Sequence, residues 1–82
     1  MSTLADTPDS APRVVRAVTA PPGAPDWAQR LEEIGFIPGE RVAVLARGPF
    51  GGDPLVVRVG LSTFALRRAE AACVEVADPG DR

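Results

Sequence analysis

Few residues of this 82-residue chain are of types that do chemistry. The chain has no histidine, so the usual general base for a serine or cysteine nucleophile is missing. Its one cysteine, Cys73, stands beside Val74 in a run of strand-forming residues. We therefore expect a packed or half-exposed small hydrophobic side chain there rather than a nucleophile. The sequence predicts no catalytic residue and no enzyme activity.

Carboxylates are the remaining candidates for binding a metal ion. Glu32, Glu33 and Glu40 lie near one another in sequence, and their oxygens would suit a hard cation. A cation-binding loop would carry a denser pattern of Asp and Asn, and a nitrogen–sulfur site would need several His or Cys residues. We therefore predict neither a metal site nor a cofactor.

The nine basic residues are all arginine and are outnumbered by eleven acidic residues, which leaves a net charge of −2. This balance does not favour nucleic-acid binding, because basic residues are neither in excess nor interleaved with aromatic ones. Arg67 and Arg68, with Arg41 and Arg58, form either an ordinary solvated surface or a small basic patch that contacts an anionic protein partner.

Phe50 lies in residues 48–54, a run rich in glycine and proline that predicts a long connection. The run is not a phosphate-binding loop, because it lacks the Gly-Lys-Ser/Thr ending and no helix follows it. Two roles remain open for the aromatic ring. It either folds back over the domain or is exposed as a contact for a partner.

The apolar pattern predicts five short strands, at residues 13–18, 41–47, 55–59, 63–66 and 72–76. A short helix is predicted between strands 1 and 2, with Asp26 as its N-cap and Gly35 at its end. Trp27, Leu31 and Ile34 form its apolar stripe. Residues 67–71 suit one further helical turn. Short strands with one apolar face close best into a small barrel, so we predict a mostly β domain.

Strand 1 has no clear inward face, because Arg16 alternates with Val14 and Val18 on the same side. The barrel domain is predicted to span residues 13–76, between a flexible leader at 1–12 and a flexible tail at 77–82. No apolar run reaches membrane-spanning length, and no secretory signal precedes the domain. These features predict a cytoplasmic protein without direct membrane insertion.

Three motifs together resemble the ferrous iron transport protein A family, FeoA. They are Leu-x-x-Ile-Gly-Phe-x-Pro-Gly-x-x-Val-x-Val-Leu at 31–45, Pro-Phe-Gly-Gly-Asp-Pro-Leu-Val-Val-Arg-Val at 49–59 and Phe-Ala-Leu-Arg-x-x-Glu-Ala-Ala-x-Val-x-Val at 64–76. The chain departs from the family pattern in its second tip glycine, its Val-Gly-Leu hairpin turn and its proline-rich insert at 20–25. These departures concern loops and leave the expected fold unchanged.

The resemblance implies a small five-stranded SH3-like barrel. It also implies an accessory protein of bacterial ferrous iron uptake, which binds the membrane permease FeoB and modulates its assembly or its GTPase-linked transport. We expect the partner surface on the helix and the Pro49-Phe50 loop, with Arg67 and Arg68 at its rim. The predicted partner-binding residues are Leu31, Ile37, Pro49, Phe50, Arg67 and Arg68. Self-association is left open. The alternative is a regulatory or metal-sensing domain related to the C-terminal domain of metal-dependent repressors.

Overall fold

One antiparallel sheet of six strands, in the order β1-β6-β2-β3-β4-β5, dominates the computed structural model, which describes residues 2–80. The strands are β1 Ser2–Thr3, β2 Arg13–Val18, β3 Arg41–Phe50, β4 Asp53–Val59, β5 Ser62–Leu66 and β6 Val74–Ala77. The helices are α1 Asp26–Ile34 and α2 Arg68–Ala71, and Leu4–Asp6 form a 3-10 turn. The prediction of a mostly β fold is confirmed. The strand count was wrong by one, since β1 precedes the predicted first strand and α1 lies between β2 and β3.

The N-terminal segment packs into the domain, which corrects the prediction of a leader outside it. β1 pairs with β6, Leu4 is fully buried in the core and Thr7 is 2% exposed. The Thr7 hydroxyl donates to the Thr3 carbonyl oxygen at 2.9 Å. The composition of residues 1–12 is mostly polar, but burial of Leu4 together with the pairing of β1 attaches the segment to the domain. Met1 lies outside the described residues.

The C-terminal tail also begins later than predicted. Ala77 belongs to β6 and pairs with Val14, and the Asp78 carboxylate lies 3.2 Å from the Arg13 guanidinium. β6 itself begins at Val74 rather than at the predicted position 72. Ala72 and Cys73 precede the strand; Ala72 is exposed and Cys73 is buried. The prediction for residues 81–82 lies outside the described residues.

A β-bulge at Arg16 resolves the conflicting pattern of β2. Val15 pairs with Val76, whereas Ala17 pairs with Glu75, so one extra residue is inserted on β2. A bulge shifts the alternation of side chains by one position. Val15 and Val18 therefore both pack against the core, and Arg16 is left exposed.

A second bulge, at Leu45, turns Arg47 toward the N-terminal segment. Val44 pairs with Val57 but Ala46 pairs with Val56, so Leu45 is the inserted residue and is 41% exposed. Regular alternation would place Ala46 on the same face as Val42 and Val44, but after the bulge Ala46 is exposed. The Arg47 guanidinium donates to the Asp9 carboxylate at 3.0 Å, to the Ala5 carbonyl oxygen at 3.2 Å and to the Thr7 carbonyl oxygen; these contacts fasten residues 5–9 across β3.

Helix α1 ends at Gly35, as predicted. Gly35 has φ +130°, its N–H donates to the Glu32 carbonyl oxygen, and the Phe36 N–H donates to the Leu31 carbonyl oxygen. This is the Schellman arrangement, in which a hydrophobic contact usually joins the residues on either side of the helix end. Leu31 and Phe36 are both buried in the core. The start differs from the prediction, because no side chain caps it.

Candidate partner-binding site

The side chains that could ligate a metal ion or act as a nucleophile are considered first. Within residues 2–80, no three His, Cys, Asp or Glu side chains converge as a metal site would require. Cys73 is 9% exposed, and its Sγ lies 3.4 Å from the Ala69 carbonyl oxygen. Burial, with a smaller contribution from the Glu70 charge, raises the pKa of the Cys73 thiol above its ordinary value of 9.0. The thiol therefore stays protonated and behaves as a packed hydrophobic group.

The hairpin of β3 and β4 carries the most exposed aromatic side chain in the described chain. Phe50 pairs with Asp53 across a two-residue turn, Gly51-Gly52, in which both glycines have positive φ. Glycine is favoured in such turns because it has no Cβ to clash at positive φ. The predicted long connection is therefore mostly strand. Phe50 is 82% exposed, which decides between the two roles left open for its ring: it does not fold back over the domain.

Helix α2 is held against this hairpin by two hydrogen bonds. The Arg68 N–H donates to the Asp53 carboxylate at 2.8 Å, and the Arg68 guanidinium donates to the Gly51 carbonyl oxygen at 3.2 Å. A carboxylate at a helix N-terminus satisfies a free backbone donor and complements the helix dipole. These bonds bring Arg67 beside the hairpin tip, where it lines a shallow pocket of ≈ 320 Å³ with Phe50, Asp53 and Pro54.

We call this region the tip surface and define it by five exposed residues: Pro49, Phe50, Pro54, Arg67 and Arg68. Four of the six predicted partner-binding residues belong to it, and the structure brings them together from two separate parts of the chain. Pro54 was not predicted as a partner-binding residue, although it directly follows Gly51-Gly52-Asp53 and therefore lies beside the turn.

The tip surface carries two arginines beside one carboxylate, that of Asp53, which accepts from the Arg68 N–H. Arg67 makes no ion pair with any residue in the range 2–80. The nearby Glu70 carboxylate accepts from the Arg67 N–H at 2.9 Å and pairs with Arg30 at 3.1 Å. Its side chain is only 14% exposed. An aromatic ring flanked by arginine is suited to an acidic, partly apolar partner segment.

Two predicted partner-binding residues do not belong to this surface. Leu31 is 1% exposed and packs in the core, because the apolar stripe of α1 faces the sheet; its prediction as a partner contact is wrong. Ile37 is 48% exposed but precedes the start of β3, whereas Phe50 ends it. Most of the length of β3 therefore lies between Ile37 and the tip surface.

No helix among residues 2–80 combines the length and the apolar character needed to cross a membrane. This finding applies to both α1, of nine residues, and α2, of four residues.

Comparisons with known proteins identify the family. The FeoA domain model matches residues 2–78 of the chain, including the N-terminal segment. FeoA from Stenotrophomonas maltophilia, complexed with zinc and described as a prokaryotic SH3 domain protein, is 43% identical. The match covers 94% of this chain and 91% of that one, with a TM-score of 0.84. No curated protein matches the chain.

Two further solved structures share the fold. FeoA from Chlorobium tepidum is 28% identical over 99% of this chain and 74% of that one, with a TM-score of 0.80. The manganese regulator SloR is 13% identical over 94% of this chain and 34% of that one, with a TM-score of 0.71; this likeness concerns the fold alone. The resemblance found in the sequence motifs is confirmed: the chain has an SH3-like fold and belongs to the FeoA domain family.

Proposed function

We propose that this protein is a cytoplasmic accessory protein of bacterial ferrous iron uptake that binds the permease FeoB. Membership of the FeoA domain family is the observation that carries this proposal. The Stenotrophomonas maltophilia relative is described as a candidate activating factor for ferrous iron transport, which supports the same role here. On this proposal the protein modulates the assembly of FeoB or its GTPase-linked transport, and it has no reaction of its own.

The proposed contact with FeoB is the tip surface. Phe50 offers an apolar side chain that is 82% exposed, and the two neighbouring arginines supply positive charge at its rim. Aromatic and arginine side chains contribute most often to the binding energy of protein interfaces. The hydrogen bonds of Arg68 to Asp53 and Gly51 join α2 to the hairpin, so the backbone that carries Phe50 and Arg67 need not be ordered on binding.

The test is calorimetric titration of the cytoplasmic region of the cell's FeoB with the full chain, with and without guanine nucleotide. We expect Phe50→Ala and Arg67→Glu each to weaken binding roughly tenfold or more, as loss of an interface anchor does. Leu61→Ala and Arg58→Glu are matched controls, because both residues are exposed and lie at or near the opposite end of the β3–β4 hairpin. Unchanged affinity of the first pair, with both variants folded, would show that the contact lies elsewhere.

A second candidate function is a regulatory or metal-sensing domain. Its structural basis is the fold alone, which the chain shares with the manganese regulator SloR. Titration of the purified chain with Mn²⁺ and Fe²⁺ separates the two proposals. Tight binding of one ion per chain would favour the sensor, whereas FeoB binding that does not require added metal would favour the accessory protein.

A further inference from the structure

Strand β5 forms one edge of the sheet. Its residues pair with β4 in unbroken register, from Val59–Ser62 to Leu55–Leu66, and no strand lies on its other side within residues 2–80. The two-residue turn Gly60-Leu61 joins the two strands. In a hairpin of this kind the pair beside the turn exchanges both hydrogen bonds, and every second pair does the same.

This pattern determines which backbone groups of β5 are free. Ser62, Phe64 and Leu66 bond to β4, so the N–H and C=O groups of Thr63 and Ala65 point away from it. The neighbouring contacts agree, since the Gly60 N–H donates to Arg41 on β3 at 3.1 Å, as the alternation requires. Thr63 and Ala65 are both exposed, and no residue among 2–80 hydrogen-bonds to their outward backbone groups.

The free edge lacks the features that usually prevent strand pairing. Proteins protect sheet edges with charged side chains, proline or bulges. The sequence of β5, Ser-Thr-Phe-Ala-Leu, contains no charge and no proline, and its pairing with β4 has no register shift.

We propose that β5 is a self-association edge, which pairs antiparallel with β5 of a second copy of this chain. Pairing centred on Phe64 places Thr63 opposite Ala65 of the second copy and Ala65 opposite its Thr63. All four outward backbone donors and acceptors on each strand are then satisfied. The two Phe64 rings, each half-buried against its own core, meet across the two-fold axis as a cross-strand aromatic pair.

The absence of charge on β5 is what favours a second copy as the occupant. A strand that pairs with its own copy across a two-fold axis brings identical residues close together. A charged residue near the axis would therefore lie close to the same charge on the second copy, which is unfavourable. Because β5 contains no charged residue, its pairing with a second copy brings no like charges together. The proposal does not rest on FeoB binding, because it concerns the backbone edge of β5, whereas the tip surface is formed by side chains that begin at Arg67, directly after β5.

The test is the mass of the full chain as a function of concentration, measured by light scattering after size exclusion. We expect the wild type to move from 8.6 kDa toward twice that mass. Ala65→Pro removes one outward N–H without touching the ladder to β4, and Thr63→Lys puts a charge on the edge. Each should raise the dimer dissociation constant at least tenfold. Gln29→Lys makes the same kind of change on the exposed face of α1 and should leave the constant unchanged.

Amide hydrogen exchange gives a second readout in the same samples. The amides of Thr63 and Ala65 should become protected as the wild-type concentration rises. A wild type that stays at 8.6 kDa up to its solubility limit would overturn the proposal. So would folded variants that dimerise like the wild type. Protection that appears only when the cytoplasmic region of FeoB is added would identify a partner segment, not a second copy, as the occupant.

Discussion

At the scale of single residues, the shape of the tip depends on Gly48. A Cβ added there would lie 2.2 Å from the Asp53 carbonyl oxygen and 2.6 Å from its carbon, which is backbone and cannot rotate away. The backbone of β4 therefore leaves no room for a side chain at Gly48, just before the turn that presents Phe50. The close approach, rather than an unusual φ, requires glycine at this position.

Gly48→Ala should lower the free energy of unfolding by about 1–3 kcal/mol, as overpacking does in other proteins. Gly23→Ala is the matched control, because a Cβ at Gly23 meets no atom within 4 Å. Urea denaturation of both variants measures the difference. Equal stability of the two variants would contradict the close approach of the strands.

Cys73 predicts how stability depends on pH. Its pKa in the folded chain lies above the ordinary value of 9.0, so the unfolded chain loses the thiol proton first as pH rises. The unfolded state then binds fewer protons than the native state, and stability must fall above about pH 9. Denaturation midpoints between pH 8 and 10.5 should decline more steeply for the wild type than for Cys73→Ala. Parallel profiles would indicate that the thiol is solvated.

At the scale of elements, the N-terminal segment contacts the strands on both sides of β2: its β1 pairs with β6, and Ser10 bonds to β3. β2 pairs with β3 only at Arg13–Val42 and Val14–Arg41, so the rest of β3 extends beyond it. The segment covers part of this extension, where the Ser10 N–H donates to the Val44 carbonyl oxygen at 2.6 Å and Arg47 holds residues 5–9. Leu4 then fills the core beneath α2 and β6.

Leu4→Ala should cost about 2–5 kcal/mol, the usual range for a leucine replaced in a packed core. This is a large share of the stability of a domain of this size, on the order of 5 kcal/mol. Thermal unfolding followed by circular dichroism measures it. Leu61→Ala removes the same atoms from a side chain that is 96% exposed and should change the midpoint little. Similar midpoints for both variants would mean that the N-terminal segment lies outside the core.

At the scale of the whole molecule, local signals predicted the elements and missed what depends on tertiary contacts. Gly35 marked the end of α1 because positive φ is a local requirement, and the alternation in 55–59 located β4. The bulges at Arg16 and Leu45 depend on pairing with other strands, so the sequence around them gives contradictory alternation. β1 has only two residues, too few for any periodic signal.

The candidate site was predicted only in part, again because local signals do not show which segments meet in the fold. Pro49 and Phe50 stood out as an aromatic turn, and Arg67 with Arg68 stood out as a basic pair. That they meet depends on the hydrogen bonds of Arg68 to Asp53 and Gly51, which join positions 15 and 17 residues apart. Leu31 was wrongly included, because the apolar stripe of α1 does not show by itself whether the core of the domain or a partner protein covers it.

The most direct test of the proposed docking is an NMR titration of the isotope-labelled chain with the cytoplasmic region of FeoB. We expect the largest amide shifts at Phe50, Gly51 and the start of α2, and we expect Phe50→Ala to abolish them at the same concentrations. Amides around Ile37 and Leu61 should change little, since they lie at the opposite end of the β3–β4 hairpin. Shifts confined to that opposite end, or no shifts with both proteins folded, would contradict docking at the tip surface.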